Sequence, residues 1–260
     1  MAGKGKDKAI TLKSSEEIQV MFIANQIVAG VLSMINREIH PGLSTLQLDK
    51  WAEEYCRDHD AYPAFKGYRG FPASLCVSIN EQVVHGIPSR HVIIKEGDIV
   101  SVDFGTRYKG FYGDSAMTIP VGHVSKRVRQ LLLVTEEALS RGISQVVVGN
   151  RVSDISKAVQ SHVEEQGFSV VRQFVGHGIG SNLHESPEVP NYIQKKASPR
   201  LLEGMVIAIE PMVNMGSEKV SVLRDGWTVI TADGRPSAHF EHSVAVTADG
   251  PFILSSREVV

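Results

Sequence analysis

The chain has 260 residues, 42% of them hydrophobic and 22% charged, enough apolar side chain to bury a core in one large domain or two small ones. Its 27 basic and 29 acidic residues leave a net charge of -2, a balance that does not point to wholesale nucleic-acid binding and leaves room only for a local basic patch. The two cysteines, Cys56 and Cys76, are too few for a disulfide framework and form no Cys-x-x-Cys pair, so both read as buried free thiols of a reducing compartment.

Met1 to Lys13 is lysine-rich, with Ala9-Ile10 its single apolar step, and reads as a flexible tail without the hydrophobic stretch of a signal peptide. No window is expected to be apolar enough to cross a membrane, which makes the cytoplasm the default location. Ser14 to Glu17 forms a capping box. Behind it Ile18, Met21, Phe22, Asn25, Val28, Ala29 and Leu32 fall at three-and-four spacing, which predicts a helix to about Arg37. After His40-Pro41-Gly42 a second helix is predicted from about Ser44 to Asp58. Pro63, Gly67, Gly70 and Pro72 then punctuate the chain before a set of short apolar strands between Cys76 and Pro120. The pattern restarts with a helix from about Ser125 to Arg141, a turn at Gly149, a helix from about Val152 to Gln166, and more strands.

That restart is a repeat. At an offset of 107, Gly42 falls on Gly149, Leu48 on Ile155, Lys50 on Lys157 and Ala52 on Val159. The same offset lays Gly97-Asp98-Ile99-Val100-Ser101-Val102-Asp103 over Gly204-Met205-Val206-Ile207-Ala208-Ile209-Glu210, so each half carries an apolar strand ending in a carboxylate. Two matches at one offset point to duplicated α-α-β-β halves. The expected product is an α/β (α+β) fold, with antiparallel strands, covering helices and a site where the halves meet.

Asp103 can be placed more closely. If Lys109-Gly110 is a two-residue hairpin turn, Tyr108 faces Phe111, Gly105 faces Asp114 and Asp103 faces Ala116. Asp103 and Asp114 are then diagonal neighbours on one face, roughly 7–8 Å apart, within reach of one cation. A solvated hairpin face would explain two such acids alone. It does not explain Asp103 after Ile-Val-Ser-Val, Glu210 after Val-Ile-Ala-Ile, and Glu241 before His-Ser-Val-Ala-Val. His177, between Gly176 and Gly178, adds an imidazole that backbone or ligand can approach closely. Four carboxylates and one imidazole suit hard or borderline divalent ions such as manganese, iron, cobalt or zinc, and two such ions would neutralise the four charges. His85 and His184 gain weight only from this company.

The longest motifs are Cys76-Val77-Ser78-Ile79-Asn80 through His85-Gly86-Ile87-Pro88, then Gly97 to Asp103, Gly113-Asp114, Gly176-His177-Gly178-Ile179-Gly180, Ile209-Glu210-Pro211-Met212 and Phe240-Glu241-His242. On these, the chain resembles the type I methionine aminopeptidases, members of the pita-bread fold, from about Ser14 to Ile253. The resemblance implies a single catalytic domain over 14–253, with pseudo-halves of about 14–124 and 125–253 between tails at 1–13 and 254–260. It implies two divalent metal ions held by Asp103, Asp114, His177, Glu210 and Glu241, with Asp114 and Glu241 bridging. It implies removal of the initiator methionine from peptides and nascent proteins whose second residue is small, by water activated between the ions. Glu210 would shuttle the proton, His184 would meet the scissile carbonyl and His85 the amide nitrogen. The methionine pocket would draw on Phe65, Tyr68, Phe71, Cys76, His85, Leu183, His184 and Trp227, an apolar lining suited to a thioether. Some relatives carry cysteine where Phe65 stands and an aromatic where Leu183 stands. A monovalent cation near the backbone of Asn80, Gln82 and Ser237 is a further implication. So are a monomer and ribosome association, with no nucleic-acid specificity and no membrane.

The short stretch between Glu210 and Glu241 leaves no room for the inserted subdomain of the type II group. Prolidases and Xaa-Pro aminopeptidases share the ligand set but usually carry a large domain before it, and few residues precede His85 here. A binding protein on the same fold would be expected to have lost ligands.

Overall fold

Helix α1 (Ser15–Glu38) begins where its capping box places it. The Glu17 amide donates to Ser14 Oγ at 3.3 Å and the Ser14 amide donates to Glu17 Oε2 at 2.8 Å, which satisfies two donors that a helix start leaves orphaned. The structure is a computed structural model describing residues 9–195 and 197–257. The expected tails at 1–13 and 254–260 therefore lie outside the described residues over 1–8 and 258–260. Helices α2 (Thr45–Asp58), α3 (Lys126–Ile143) and α4 (Val152–Glu165) follow within two residues of their predicted bounds.

The apolar content of α1 corrects one expectation. An 18-residue window within it has a mean hydropathy of 1.8, so by length and composition α1 could cross a membrane. Its burial supplies the reason. Every residue from Ile27 to Leu32 is buried, and the helix packs against α2 and against the strands Ile99–Tyr108 and Phe111–Pro120. That middle stretch is covered on all sides, so it carries apolar residues on all sides. At Gly113 the strand lies directly on the helix backbone, since a Cβ there would stand 2.8 Å from Asn25 N and 2.9 Å from Ala24 C.

One nine-stranded antiparallel sheet joins the halves. Its strands run in the order Tyr62–Pro63, Ile99–Tyr108, Phe111–Pro120, Glu241–Thr247, Val206–Ile209, Gly176–Gly178 and Glu185–Val189. Leu75–Ile79 pairs with Ile99–Tyr108, and Gly250–Ile253 with Glu241–Thr247. The hairpin register is the predicted one: Tyr108 pairs with Phe111, Gly105 with Asp114 and Asp103 with Ala116. Lys109 and Gly110 make the turn with φ of 45° and 90°, the left-handed pair that suits the twist of two-residue hairpins. Side chains alternate across the strands. Val100, Val102 and Phe104 join the core under α1 and α2, and Ile207 and Ile209 join the core under α3 and α4. The intervening residues, Asp103 among them, face the other way.

The duplication is structural. The bounds of α2 map onto those of α4 at the same offset, and the isolated bridge between Ser44 and Ile93 recurs between Arg151 and Arg200. The Gly42 amide donates to the Ile94 carbonyl at 2.9 Å, and the Gly149 amide to the Leu201 carbonyl at 3.0 Å. Gly42 and Gly149 hold φ of 97° and 93°.

Ordered packing extends past 14–253 at both ends. Lys13 Nζ pairs with Glu185 Oε2 at 2.7 Å with both side chains nearly buried. Leu254 and Ser255 are buried, and Gln26 Nε2 donates to the Leu254 carbonyl at 2.8 Å.

Candidate functional site

Sheet register assembles the site. Asp103 pairs with Ala116, and Ala116 pairs with Glu241 on the neighbouring strand. The next ladder pairs His242 with Ile209, so its following rung sets Glu210 against Glu241. Opposed residues on antiparallel strands share a face at about 5 Å, which places Asp103, Glu241 and Glu210 in one transverse row. Asp114 is two residues from Ala116 and shares that face. His177 precedes Gly178, which pairs with Ile207 on the opposite face, so the alternation turns His177 toward the acids. The five side chains line one cavity of about 140 Å³.

Within the row, ligand atoms of Asp114, His177 and Glu241 all lie within 4.8 Å of one another. His177 Nδ1 stands 2.9 Å from the Gly178 carbonyl, which can only accept, so the proton belongs on Nδ1. The Nε2 lone pair then faces Glu210 Oε1 at 3.7 Å and Asp114 Oδ2 at 3.9 Å. Burial pushes the His177 pKa down to about 4, which keeps that lone pair free at neutral pH. Asp103 Oδ1, Asp114 Oδ1 and Glu241 Oε1 are buried without a hydrogen-bond partner among the described residues.

Burial raises the Asp103 pKa to about 7. Burial first, then the neighbouring carboxylates, raises Asp114, Glu210 and Glu241 well above the ordinary range. Unpaired carboxylate oxygens facing an imidazole lone pair repel one another unless a cation stands between them. The donor set therefore fits a divalent metal, one nitrogen among hard oxygens with a second hydrogen bond fixing the histidine tautomer. Backbone anchors hold the row in place. Asp114 donates its amide to Asn25 Oδ1 at 3.2 Å, Ser115 Oγ donates to the Glu241 carbonyl at 2.6 Å, and Asn191 Nδ2 donates to the Glu210 carbonyl at 2.9 Å.

The same cavity is lined by Phe65, Tyr68, Phe71, Cys76, His85, Leu183, His184 and Trp227, all eight residues of the expected pocket. Phe71 and His85 meet Trp227 edge-on at 5.1 Å and 6.3 Å between ring centroids. Tyr68 stacks on His184 at 5.3 Å, and its hydroxyl hydrogen-bonds His184 Nδ1 at 2.9 Å. His184 stands at the mouth with its ring 4.2 Å from that of His177; the enclosing wall, then His177, Arg69 and His85, lower its pKa. Burial lowers His85 to about 4, so the ring is neutral at pH 7 and can donate or accept one hydrogen bond at each nitrogen. Cys76 pairs with Asp103 across the sheet, and burial followed by that carboxylate pushes its thiol pKa up.

Arg69 also lines the cavity, with its guanidinium 5.3 Å from the Tyr68 ring centroid. Neither Arg69 nor Asn25 was singled out as a site residue from the sequence. Arg69 lies in no periodic segment, and Asn25 occupies an ordinary position in a helical repeat. Of the residues expected near a monovalent cation, Ser237 and Asn80 are adjacent, the Ser237 amide donating to the Asn80 carbonyl at 2.9 Å. Gln82 Oε1 accepts from the Ile79 amide at 3.0 Å.

The sequence model described as metallopeptidase family M24 matches residues 19–248. The chain belongs to this family. A methionine aminopeptidase of Clostridium perfringens is 50% identical over 246 residues, which cover 95% of this chain and 98% of that one. The crystal structure of a methionine aminopeptidase from Thermotoga maritima superposes with a TM-score of 0.93 at 43% identity, covering 95% of this chain and 100% of that chain. A prolidase from Pyrococcus furiosus gives a TM-score of 0.78 at 24% identity, covering 94% of this chain and 65% of that one, a likeness of fold alone. This M24 peptidase therefore has the pita-bread arrangement of duplicated halves expected from its sequence. A divalent metal belongs to its family's chemistry, and the Asp114, His177 and Glu241 cluster offers it a site.

Proposed function

We propose that this M24 peptidase is a methionine aminopeptidase, removing the N-terminal methionine of peptides and nascent proteins whose second residue is small. The observation that carries the reading is that one cavity is lined both by the acid and histidine row and by the aromatic residues Phe65, Tyr68, Phe71 and Trp227. Asp103, Asp114, His177, Glu210 and Glu241 would hold two divalent ions; cobalt, manganese, iron and zinc all suit these donors. When bound, the ions lower the pKa of a water and polarise the scissile carbonyl.

The chain's own groups do the rest. Phe65, Phe71, Cys76, Leu183 and Trp227 exclude water from the methionine side chain. Glu210 carries a proton from the attacking water toward the leaving amine. His184, held by the Tyr68 hydroxyl, donates to the carbonyl oxygen of the scissile bond, and His85 meets the amide nitrogen. The carboxylate row also attracts the substrate's free amine, which confines cleavage to the chain end. A monovalent cation near the Asn80, Gln82 and Ser237 backbone, ribosome association, a monomeric state and a cytoplasmic location complete the reading.

Hydrolysis of Met-Ala-Ser and Ala-Pro by stripped protein, with each metal restored separately, tests it. Cleavage of Met-Ala-Ser is expected. Cleavage of Ala-Pro alone would reassign the chain to the proline-directed branch, and inactivity with every metal would favour a binding protein.

A further inference from the structure

His239 is 1% exposed, and neither ring nitrogen has a hydrogen-bond partner among the described residues. Buried polar groups are nearly always paired, so a bare imidazole in the protein interior needs a reason. Its backbone is fixed by one hydroxyl: the His239 amide donates to Thr118 Oγ1 at 2.8 Å, and Thr118 Oγ1 donates to the His239 carbonyl at 2.9 Å. Thr118 belongs to the first half of the duplication and His239 to the second, so the His239 backbone is tied across the join.

The nearest acid is Glu210, whose Oε2 stands 3.8 Å from His239 Nε2, while its Oε1 stands 3.7 Å from His177 Nε2. The carboxylate is thus held between two imidazoles. The two are chemically different neighbours. His177 commits its proton to the Gly178 carbonyl and turns a lone pair toward Glu210, whereas His239 has no acceptor at Nδ1 and is free to carry its proton on Nε2. A hydrogen bond from His239 requires an approach of about 1 Å, within what a carboxylate covers by a small rotation.

We propose that His239 is a positioning residue of the metal centre, donating its Nε2 hydrogen to Glu210 Oε2 so that Oε1 is the oxygen presented to the cation beside His177. The inference rests on the reading of Glu210 as a ligand. It gives the bare ring a partner, the one carboxylate oxygen that stands near its Nε2. Partners of this kind orient ligating carboxylates, and their loss typically weakens metal binding by about 10–100-fold.

Two variants of the full chain test it, His239→Leu, which removes the donor, and His239→Gln, which restores an N–H. Each is stripped with chelator, titrated with cobalt(II) by calorimetry alongside the cobalt absorption spectrum, and melted without metal. His239→Leu should bind cobalt about 10–100-fold more weakly with an altered spectrum, and His239→Gln should recover most of the loss. The melting temperature of His239→Leu in chelator should equal or exceed that of the wild type, because the substitution removes two buried ring nitrogens that have no hydrogen-bond partner among the described residues. Wild-type affinity in the Leu variant would overturn the proposal. So would equal loss in both variants, or a loss matched by a lower metal-free melting temperature, which would indicate packing. A wild-type chain that takes up no cobalt would remove the metal centre itself, and this inference with it.

Discussion

Asp103 follows an apolar run inside the strand Ile99–Tyr108, with one carboxylate oxygen buried and unpartnered, and its pKa is raised to about 7. Such a group weakens the metal-free fold and is useful only with a cation. Asp103→Asn should therefore abolish hydrolysis of Met-Ala-Ser in metal-replete buffer while raising the stability of the stripped protein by about 1 kcal/mol, read by calorimetric melting in chelator. His85 differs in kind, since it lines the cavity without belonging to the acid row. His85→Ala should lower turnover by about 100-fold with metal content unchanged, measured by kinetics beside metal analysis of the same sample. The acids and His177 were legible in the sequence because each interrupts an apolar or glycine-flanked run, where solvation is a poor explanation. His239 and Asn25 were not, because their significance lies in what stands opposite them in space.

Among the elements, the four helices and the 99–120 hairpin could be read from periodicity and turn chemistry alone. Lys109-Gly110 fixes the hairpin register locally, and the register in turn puts Asp103 and Asp114 on one face. Pairing between Phe111–Pro120 and Glu241–Thr247 carried no such signal, because strands so distant in sequence find their register only through the packed core. The enclosure of α1 is not legible in its sequence for a related reason: its amphipathic spacing marks one buried face, and the burial of its remaining faces depends on partners elsewhere in the chain. Gly113 marks the closest approach of α1 to the sheet, one residue before Asp114. Gly113→Ala should cost about 1–3 kcal/mol, seen as a lower denaturant midpoint, because the new methyl group meets helix backbone that cannot step aside. The same variant should bind divalent metal more weakly, since relief of the clash displaces the strand that carries Asp114.

The pH response belongs to the whole molecule. Asp103 is raised from 3.8 to about 7, and Asp114, Glu210 and Glu241 are raised well above their ordinary values, so the folded chain holds protons that the unfolded chain has released. That contribution to stability is complete below the unfolded values and is lost as pH rises through the folded ones. Buried histidines act oppositely. His85 and His177 fall from 6.5 to about 4, and His239 and His242 to about 3, so their contribution grows with pH but only up to about 6.5. Above that point the carboxyls act alone. Stripped protein should lose stability between about pH 6.5 and 8, by up to about 1.4 kcal/mol per pH unit for each carboxyl that keeps its proton in the folded chain, and saturating divalent metal should flatten the slope. Thermal melts across that range, with chelator and with metal, read both effects.

Asp103 and Asp114 come from one repeat, and His177, Glu210 and Glu241 from the other. In the nine-stranded sheet the ladder joining the repeats has two rungs, Ala116 with Glu241 and Ser115 with His242; a second ladder sets Val229 against Val84 and Ile230 against Gln82, and Thr118 against His239 and Lys13 against Glu185 add to the join. A cation seated across that join would act as a clasp as well as a reagent. Co-expressed pieces severed in the exposed stretch at Gly122 and His123 should copurify and cleave Met-Ala-Ser when divalent ions are present, and should part on gel filtration once a chelator takes the ions away.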